Sequence, residues 1–486
     1  MVQLPRYRQM ADQIKQAVRE GVLPPDSRLP SVRVLAAQYN VSLTTALKVL
    51  RTLEDEHVAV ARPKSGFFVA PVQPAAPENG TTETHSADFA PLDEQTELHM
   101  SMVGEECRVR LDLANGRREL YPVRKLSLIM RQLSYSKPFL LGDSVKGTGY
   151  APLKEEIARR AVSYGCNISP ETLLITNGCI EALSLALRAT LSPGDAVAVE
   201  SPCYFVLLQM LRNLNLRLTE VDACEDGYVD CDKLTALFRR KAVKAFVTLA
   251  NVNNPLGKTI PDDVKAEITR QADENGVIII EDDTFGDAAF GGQRPFPMRA
   301  FSHNVILCSG FSKTIAPGVR IGWVHSQHYM RKITSLKYTS SMGSQVLPQA
   351  AISELLSNGG YDAHLRRLRR ELAAQVQNIR RVVLREFPPG TTVTEPEGGY
   401  VLWVTMPEGS LNVRELFLNA RAEGIGIAPG HIFATDSRYD RCFRLNAGFG
   451  CDKDVEDAIA RLAQWCGDHC KSTAAERQCE IADKAG

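Results

Sequence analysis

From about residue 105 to residue 468, short apolar runs of strand length alternate with stretches of helical length. That alternation confines the segment to an α/β architecture: a mostly parallel sheet with helices packed on both faces. Leu174-Ile175-Thr176, Val277-Ile278-Ile279-Ile280 and Val305-Ile306-Leu307-Cys308 are clear strand candidates, each followed by a turn or by carboxylates. Ligands in such sheets sit beyond the C-terminal ends of the strands. At 486 residues the chain is also too long for one ordinary core, so two or more domains are expected.

The composition changes ahead of that segment. Residues 71–104 carry Pro71, Pro74, Pro77, Gly80 and a Thr/Glu/Ser-rich run to Asp88, which predicts a flexible linker. Residues 469–486 read as a polar tail. Residues 1–70 show short helical patterns. Met10, Ile14 and Val18 recur at helical spacing. Ser31 can cap a second helix that turns Val32, Leu35 and Ala36 inward. Tyr39-Asn40-Val41 is a turn, and Ser42 can cap a third helix with Ala46, Leu47, Leu50 and Leu53 inward. The first turn of that helix presents Ser42, Thr44 and Thr45, as a recognition helix does toward bases and phosphates. Val58-Ala59-Val60 and Phe67-Phe68-Val69 then flank the basic tip Arg62-Pro63-Lys64-Ser65-Gly66, predicting a hairpin wing. These 70 residues hold ten Lys/Arg against six Asp/Glu, an excess that suits phosphates and equally suits a solvated surface. A small helical domain that binds protein is the competing reading.

The whole chain has no net charge, which argues against a polyelectrolyte binder. Neither a signal peptide nor a run of about 18 apolar residues is present, so a cytoplasmic protein without a membrane span is expected. The twelve cysteines lack framework spacing and are expected to be reduced. Cys466 and Cys470, with His469 between them, lack a second ligand pair, and no metal is expected.

The chemistry centres on Ser309-Gly310-Phe311-Ser312-Lys313-Thr314-Ile315-Ala316-Pro317-Gly318-Val319-Arg320. A lysine at a strand's C-terminal end can act as a Schiff-base nucleophile when its surroundings favour the neutral amine. Arg320, seven residues on, can supply a forked cation to a phosphate. Asn177-Gly178-Cys179-Ile180 opens a helix whose first amides can hold a phosphate. Tyr204 offers a ring to stack on a flat cofactor, and Asn251-Val252-Asn253-Asn254 offers side-chain amides. Glu281-Asp282-Asp283 ends a buried strand in carboxylates, one of which can keep a ring nitrogen protonated. Glu181 reads as a helix first-turn charge with no chemical role.

Together these motifs resemble two families joined in one chain. Residues 1–70 resemble the GntR-type winged helix-turn-helix, and residues 105–468 resemble a fold-type I, aspartate-aminotransferase-like domain that binds pyridoxal 5′-phosphate (PLP). The fusion resembles the MocR subfamily of GntR regulators. The resemblance implies that Lys313 carries the internal aldimine, Asp282 pairs with the pyridine nitrogen and Asn254 meets the ring oxygen. It further implies that Tyr204 stacks on the ring, that Gly178, Cys179, Ser312 and Arg320 hold the phosphate, and that Arg444 clamps an effector carboxylate. The helix beginning Tyr361-Asp362-Ala363-His364 matches a family helix with a structural role. Arg33, Ser42, Thr44, Thr45, Lys48, Arg62 and Gly66 stand where the family meets double-stranded DNA, and a homodimer is implied.

Several positions depart from the family pattern. Leu43 replaces an arginine, and His57 stands where a glycine ends the recognition helix, at an αL position that favours glycine. Phe285 follows Asp282 where a tyrosine is usual, Gly310 replaces a phosphate-binding Ser or Thr that Ser309 could substitute, and 142–146 lacks a tyrosine. The expected function is a PLP-dependent transcriptional regulator that senses an amino-group effector by aldimine exchange at Lys313, with weak or vestigial transamination. A working aminotransferase with an accessory DNA-binding arm, and a sensor of PLP itself, stay open as alternatives.

Overall fold

The computed structural model describes residues 5–19, 23–62, 65–70, 98, 107–143 and 147–467. The expected linker, apart from Leu98, lies outside the described residues, as do the expected tail, the wing tip Pro63-Lys64 and Ser144-Val145-Lys146. The chain forms two compact units, Met1–Pro91 and Leu92–Gly486.

In the first unit, helices α1 (Arg6–Arg19), α2 (Val32–Tyr39) and α3 (Leu43–Asp55) precede a hairpin of β1 (Ala59–Arg62) and β2 (Gly66–Val69). The expected caps form. Ser31 accepts from the Val34 amide at 3.4 Å and Ser42 from the Thr45 amide at 3.1 Å, satisfying first-turn donors that have no helical partner. Asn40 closes α2 in the left-handed region, and His57 sits beyond α3 at φ 57°. The hairpin pairs Ala59 with Val69 and Arg62 with Gly66. Met10, Ile14, Leu35, Ala46, Leu50 and Leu53 fill the core. Two details differ from the sequence reading. Val49 is fully buried whereas Leu47 is half-buried, because the inward stripe runs 46, 49, 50, 53 at the 3.6-residue period. Val32, read as inward on α2, is likewise only half-buried.

The second unit is built on a seven-stranded sheet. Its strands are β3 (Leu173–Thr176), β4 (Ala196–Ser201), β5 (Arg217–Asp222), β6 (Ala245–Thr248), β7 (Ile278–Asp282), β8 (Ile306–Gly310) and β9 (Gly322–His325). They lie in the order β3-β9-β8-β7-β6-β4-β5. All neighbours are parallel except at β9, which runs antiparallel to both β3 and β8. Strands covered on both faces need near-continuous apolar runs, and β3, β6 and β9 are buried at every position. Helix α4 (Cys179–Thr190) leaves β3 directly. A smaller antiparallel sheet follows, with strands β10 (Thr392–Val393), β11 (Val401–Thr405), β12 (Ala428–Pro429) and β13 (Cys442–Asn446) ordered β10-β11-β13-β12. The 27-residue helix α5 (Gly360–Glu386) ties the two sheets together. Its first half (Tyr361, Leu365, Leu368, Leu372) packs with the large sheet, and its second half (Val376, Ile379, Val383) packs with the small one.

Candidate cofactor site and DNA-reading surface

The C-terminal ends of β3, β6, β7 and β8 converge on a cavity of about 230 Å³. Asn115, Cys179, Ile180, Tyr204, Asn254, Asp282, Thr284, Phe285, Ser312, Lys313 and Arg320 are on its wall. The structure thus brings together residues that stand up to about 200 positions apart.

Lys313 follows β8 by three residues. Its Nζ donates to the Ala114 carbonyl (2.7 Å) and to Asn115 Oδ1 (2.9 Å), and lies 5.5 Å from the centroid of the Phe285 ring. Tyr400 donates its hydroxyl to the Lys313 carbonyl, and the next residue, Thr314, is held by Tyr361 (2.8 Å) and by His364 on its carbonyl (2.6 Å). Burial, with Arg444 and Arg320 adding repulsion against the pull of Asp282, pushes the Lys313 amine down to about 8. An amine with that pKa is neutral far more often at neutral pH than a surface lysine.

Asp282 ends β7 and is buried. Its Oδ1 accepts from the Thr284 amide (3.0 Å), the Thr284 hydroxyl and the Cys179 thiol (3.3 Å). Burial pushes its carboxyl up, and these donors oppose the shift. Asp283 turns away, held by Asn251 (2.8 Å) and Arg294. Asn251 is thereby committed to Asp283 and the buried Lys265, whereas Asn254 reaches the cavity.

Gly178 caps α4 at φ 87°, and a Cβ there would lie 2.6 Å from Arg320 Nη2. Glycine is thus required both by the backbone and by the approach of the guanidinium. Arg320 itself occupies the left-handed region at φ 50°, and its Nη1 donates to Ser312 Oγ at 3.4 Å. The first amides of α4, the Ser312 hydroxyl and Arg320 make an anion cradle of the kind that phosphates occupy.

Arg444, on β13, is fully buried and is not on the cavity wall. It stands behind the wall, with Nη1 donating to Asn254 Oδ1 (2.9 Å) and Nη2 to the Asp112 carbonyl. Its Nε has no hydrogen-bond partner among the described residues. Tyr204 is on the wall as expected, its hydroxyl pushed up to about 12 by burial.

Some sequence readings need correction. Ser309 does not substitute for the missing hydroxyl at Gly310, because its Oγ donates to the Asp283 carbonyl at 3.0 Å. Gly310 answers a packing demand, since a Cβ there would lie 3.2 Å from Gly322 Cα and from the Ile321 carbonyl on β9's side. Glu181 is a first-turn charge of α4, as read, where it accepts from the Asn177 amide and pairs with Lys337 at 2.6 Å. Cys466 is buried against Met406 Sδ, while His469 and Cys470 lie outside the described residues. Sequence reasoning missed Asn115 and Thr284. The Asn115-Gly116 pair signals a turn but not a role, and Thr284 signals a local hydroxyl bond two residues after an aspartate.

On the first unit, Arg33, Ser42, Thr44, Lys48, Arg62 and Gly66 are exposed and Thr45 is half-buried. Ser42 Oγ is engaged within its own helix by the Thr45 amide and hydroxyl. Lys48 Nζ lies 4.2 Å over the Tyr7 ring. Arg62 pairs with Asp26 and stacks 4.4 Å over Phe68.

Comparison with known proteins identifies both units. Residues 6–69 match the gntR family of bacterial regulatory proteins, and residues 142–462 match aminotransferase class I and II. The chain therefore joins a DNA-binding regulator to an aminotransferase-like domain. An uncharacterized HTH-type transcriptional regulator of Escherichia coli K12, YdcR, is 34% identical over 466 residues, 94% of this chain and 98% of its own. The multiple substrate aminotransferase of Thermococcus profundus superposes with a TM-score of 0.71 at 25% identity, over 79% of this chain and 96% of that one. A Pyrococcus horikoshii kynurenine aminotransferase, solved with PMP, also superposes with a TM-score of 0.71 at 25% identity, over 78% of this chain and 95% of that one. The chain belongs to the GntR family and, within it, to the MocR-like regulators that carry a fold-type I aminotransferase domain.

The cofactor of that domain is PLP. The residues present fit it: a cradle that a Cβ at Gly178 would fill, a buried carboxylate, and a lysine with a depressed pKa share one cavity. No helix among the described residues is long and apolar enough to cross a membrane.

Proposed function

We propose that this DNA-binding regulator senses a small carboxylate-bearing amine through Lys313, and that occupancy of the cofactor site changes its hold on an operator. PLP supplies an aldehyde that joins primary amines reversibly and a ring that withdraws electrons. In this reading Gly178, Cys179, Ser312 and Arg320 hold the phosphate, Asp282 faces the ring nitrogen, Asn254 meets the ring oxygen, and Tyr204 stacks on the ring. Lys313 provides the amine that the effector replaces, and Arg444 takes the effector's carboxylate. Arg33, Ser42, Thr44, Thr45, Lys48, Arg62 and Gly66 meet DNA, with Arg62 leaving Asp26 to do so. The observation that carries the reading is the Lys313 amine, depressed to about 8 and held by two oxygens in the cavity that Asp282 and Arg320 share.

The protein acts in the cytoplasm as a homodimer. Supporting the dimer, a groove of about 560 Å³ lined by Tyr121, Val123, Leu126, Met130 and Val319 adjoins the Lys313 loop, and Leu128 nearby is exposed. A working aminotransferase with an accessory DNA arm is the second reading, favoured by the Lys313, Asp282 and Asn254 side chains all reaching one cavity. Phe285, which cannot donate to a ring oxygen, favours sensing. A sensor of PLP alone leaves the Nε of buried Arg444 without a task.

The test begins with duplexes selected from a random library by the purified protein. An amino-acid panel is then titrated while cofactor absorbance and the DNA complex are followed together. One amine is expected to move both signals, and Lys313→Ala to keep DNA affinity while losing both responses. Absorbance changes with steady turnover and an unmoved DNA complex would establish the enzyme instead.

A further inference from the structure

Asp282 is the one carboxylate on the cavity wall among the described residues. Its two oxygens are used unequally. Oδ1 takes all three donors described above, two from Thr284 and one from Cys179. No described residue donates to Oδ2. Thr284 bonds locally, two residues on, so its hydroxyl is fixed to the carboxylate by chain geometry rather than by distant packing. Cys179 arrives from the first residue of α4, the helix that follows edge strand β3. Burial and the neighbouring Asp282 push the Cys179 thiol well up, so it stays protonated and serves as a donor. Cys308 stands in register with Asp282 on β8, yet no bond joins its thiol to the carboxylate.

We infer that Thr284 and Cys179 are positioning residues that keep Asp282 ionised and reserve its Oδ2 for the cofactor's ring nitrogen. A carboxylate buried in this way drifts toward its neutral form. A neutral Asp282 would offer the ring nitrogen no charge to pair with. Hydrogen bonds to the ionised form oppose that drift, and the three on Oδ1 also fix the rotation of the carboxyl group. The inference rests on Asp282 facing the ring nitrogen, as proposed above.

The experiment measures the noncovalent PLP affinity of the full, cofactor-free chain carrying Lys313→Ala, so that protonation of the lysine does not enter, as a function of pH. Affinity falls on the acid side as Asp282 becomes neutral, over a contribution from the phosphate of PLP that is the same in every variant. Thr284→Val keeps the side-chain shape and the backbone amide but removes the hydroxyl. It is expected to move the acid limb up by about one pH unit, which is about tenfold in Kd along the limb. Thr284→Ser should restore the native limb, Cys179→Ala should move it upward by less, and Cys308→Ala should leave it in place. Asp282→Asn should leave only the phosphate's contribution. A limb unchanged in Asp282→Asn overturns the placement of Asp282 itself. A limb reduced in Asp282→Asn but fixed in Thr284→Val overturns the locking role alone. If Thr284→Val does not accumulate, Cys179→Ala decides by the same criterion, and an unmoved limb there overturns the inference.

Discussion

The depressed Lys313 amine makes a quantitative prediction about cofactor capture. Only the neutral amine attacks an aldehyde. With a pKa of about 8, Lys313 is ~9% neutral at pH 7, against ~0.03% for a lysine at its ordinary value near 10.5, a ~300-fold difference. The rate at which the cofactor-free chain captures PLP, followed by stopped-flow absorbance beside a free alkyl amine, should rise about tenfold per pH unit and level off near pH 8. The free amine should keep rising toward 10.5. The charges around Lys313 give two internal checks. Arg444→Met removes a repelling cation and should move the break up, and Asp282→Asn removes an attracting anion and should move it down. A capture rate that climbs without a break to pH 10, or a break indifferent to both substitutions, refutes the account of Lys313.

Three further outcomes follow from local geometry. Gly178→Ala places a Cβ against Arg320 in a backbone region reserved for glycine; strain of about 1–3 kcal/mol and a displaced guanidinium should weaken PLP binding at least tenfold by equilibrium dialysis, with DNA binding intact. His57→Gly relieves a left-handed residue after the recognition helix and should stabilise the first unit by about 0.5–1 kcal/mol, read as a higher melting transition by calorimetry of the full chain. Lys48→Ala should weaken DNA binding across sequences and reduce the salt slope by about 1, measured by fluorescence anisotropy between 50 and 200 mM salt.

Much of the site was legible because each strand end writes its chemistry locally. Lys313 and Arg320 share one loop, Gly178 and Cys179 share one helix start, and Asp282 closes a run of isoleucines. The caps of Ser31 and Ser42 were legible for the same reason. What escaped was set by contact across the chain. Asn115 reaches Lys313 from 198 residues away, and nothing in Leu113-Ala114-Asn115-Gly116 marks that destination. Ser309 looked available to the cavity but points to Asp283, whose carbonyl on the neighbouring strand's end takes its hydroxyl. Thr284 drew notice only as part of a segment lacking a tyrosine, while its own hydroxyl is a principal partner of Asp282.

The same distinction between sequence position and surroundings decides how Arg444 is to be understood. It is 1% exposed, lies 5.3 Å from the Phe433 ring centroid, and touches no carboxylate oxygen. Burial pulls its guanidinium down to about 10, a sign that the charge is poorly compensated in the ligand-free state. A buried cation lacking an anion is destabilising by several kcal/mol, and an incoming carboxylate that reaches Nε would restore part of that. The cofactor-loaded chain should therefore gain thermal stability from carboxylate-bearing amines and much less from the same amines lacking the carboxylate, at least tenfold weaker in the Kd drawn from melting shifts. Arg444→Met, an apolar side chain among Phe205 and Phe433, should keep or raise the ligand-free melting temperature and abolish that preference. A variant that still prefers the carboxylate-bearing amine would show that another cation receives it, and Arg444 would then be no more than a strut holding Asn254 against β13.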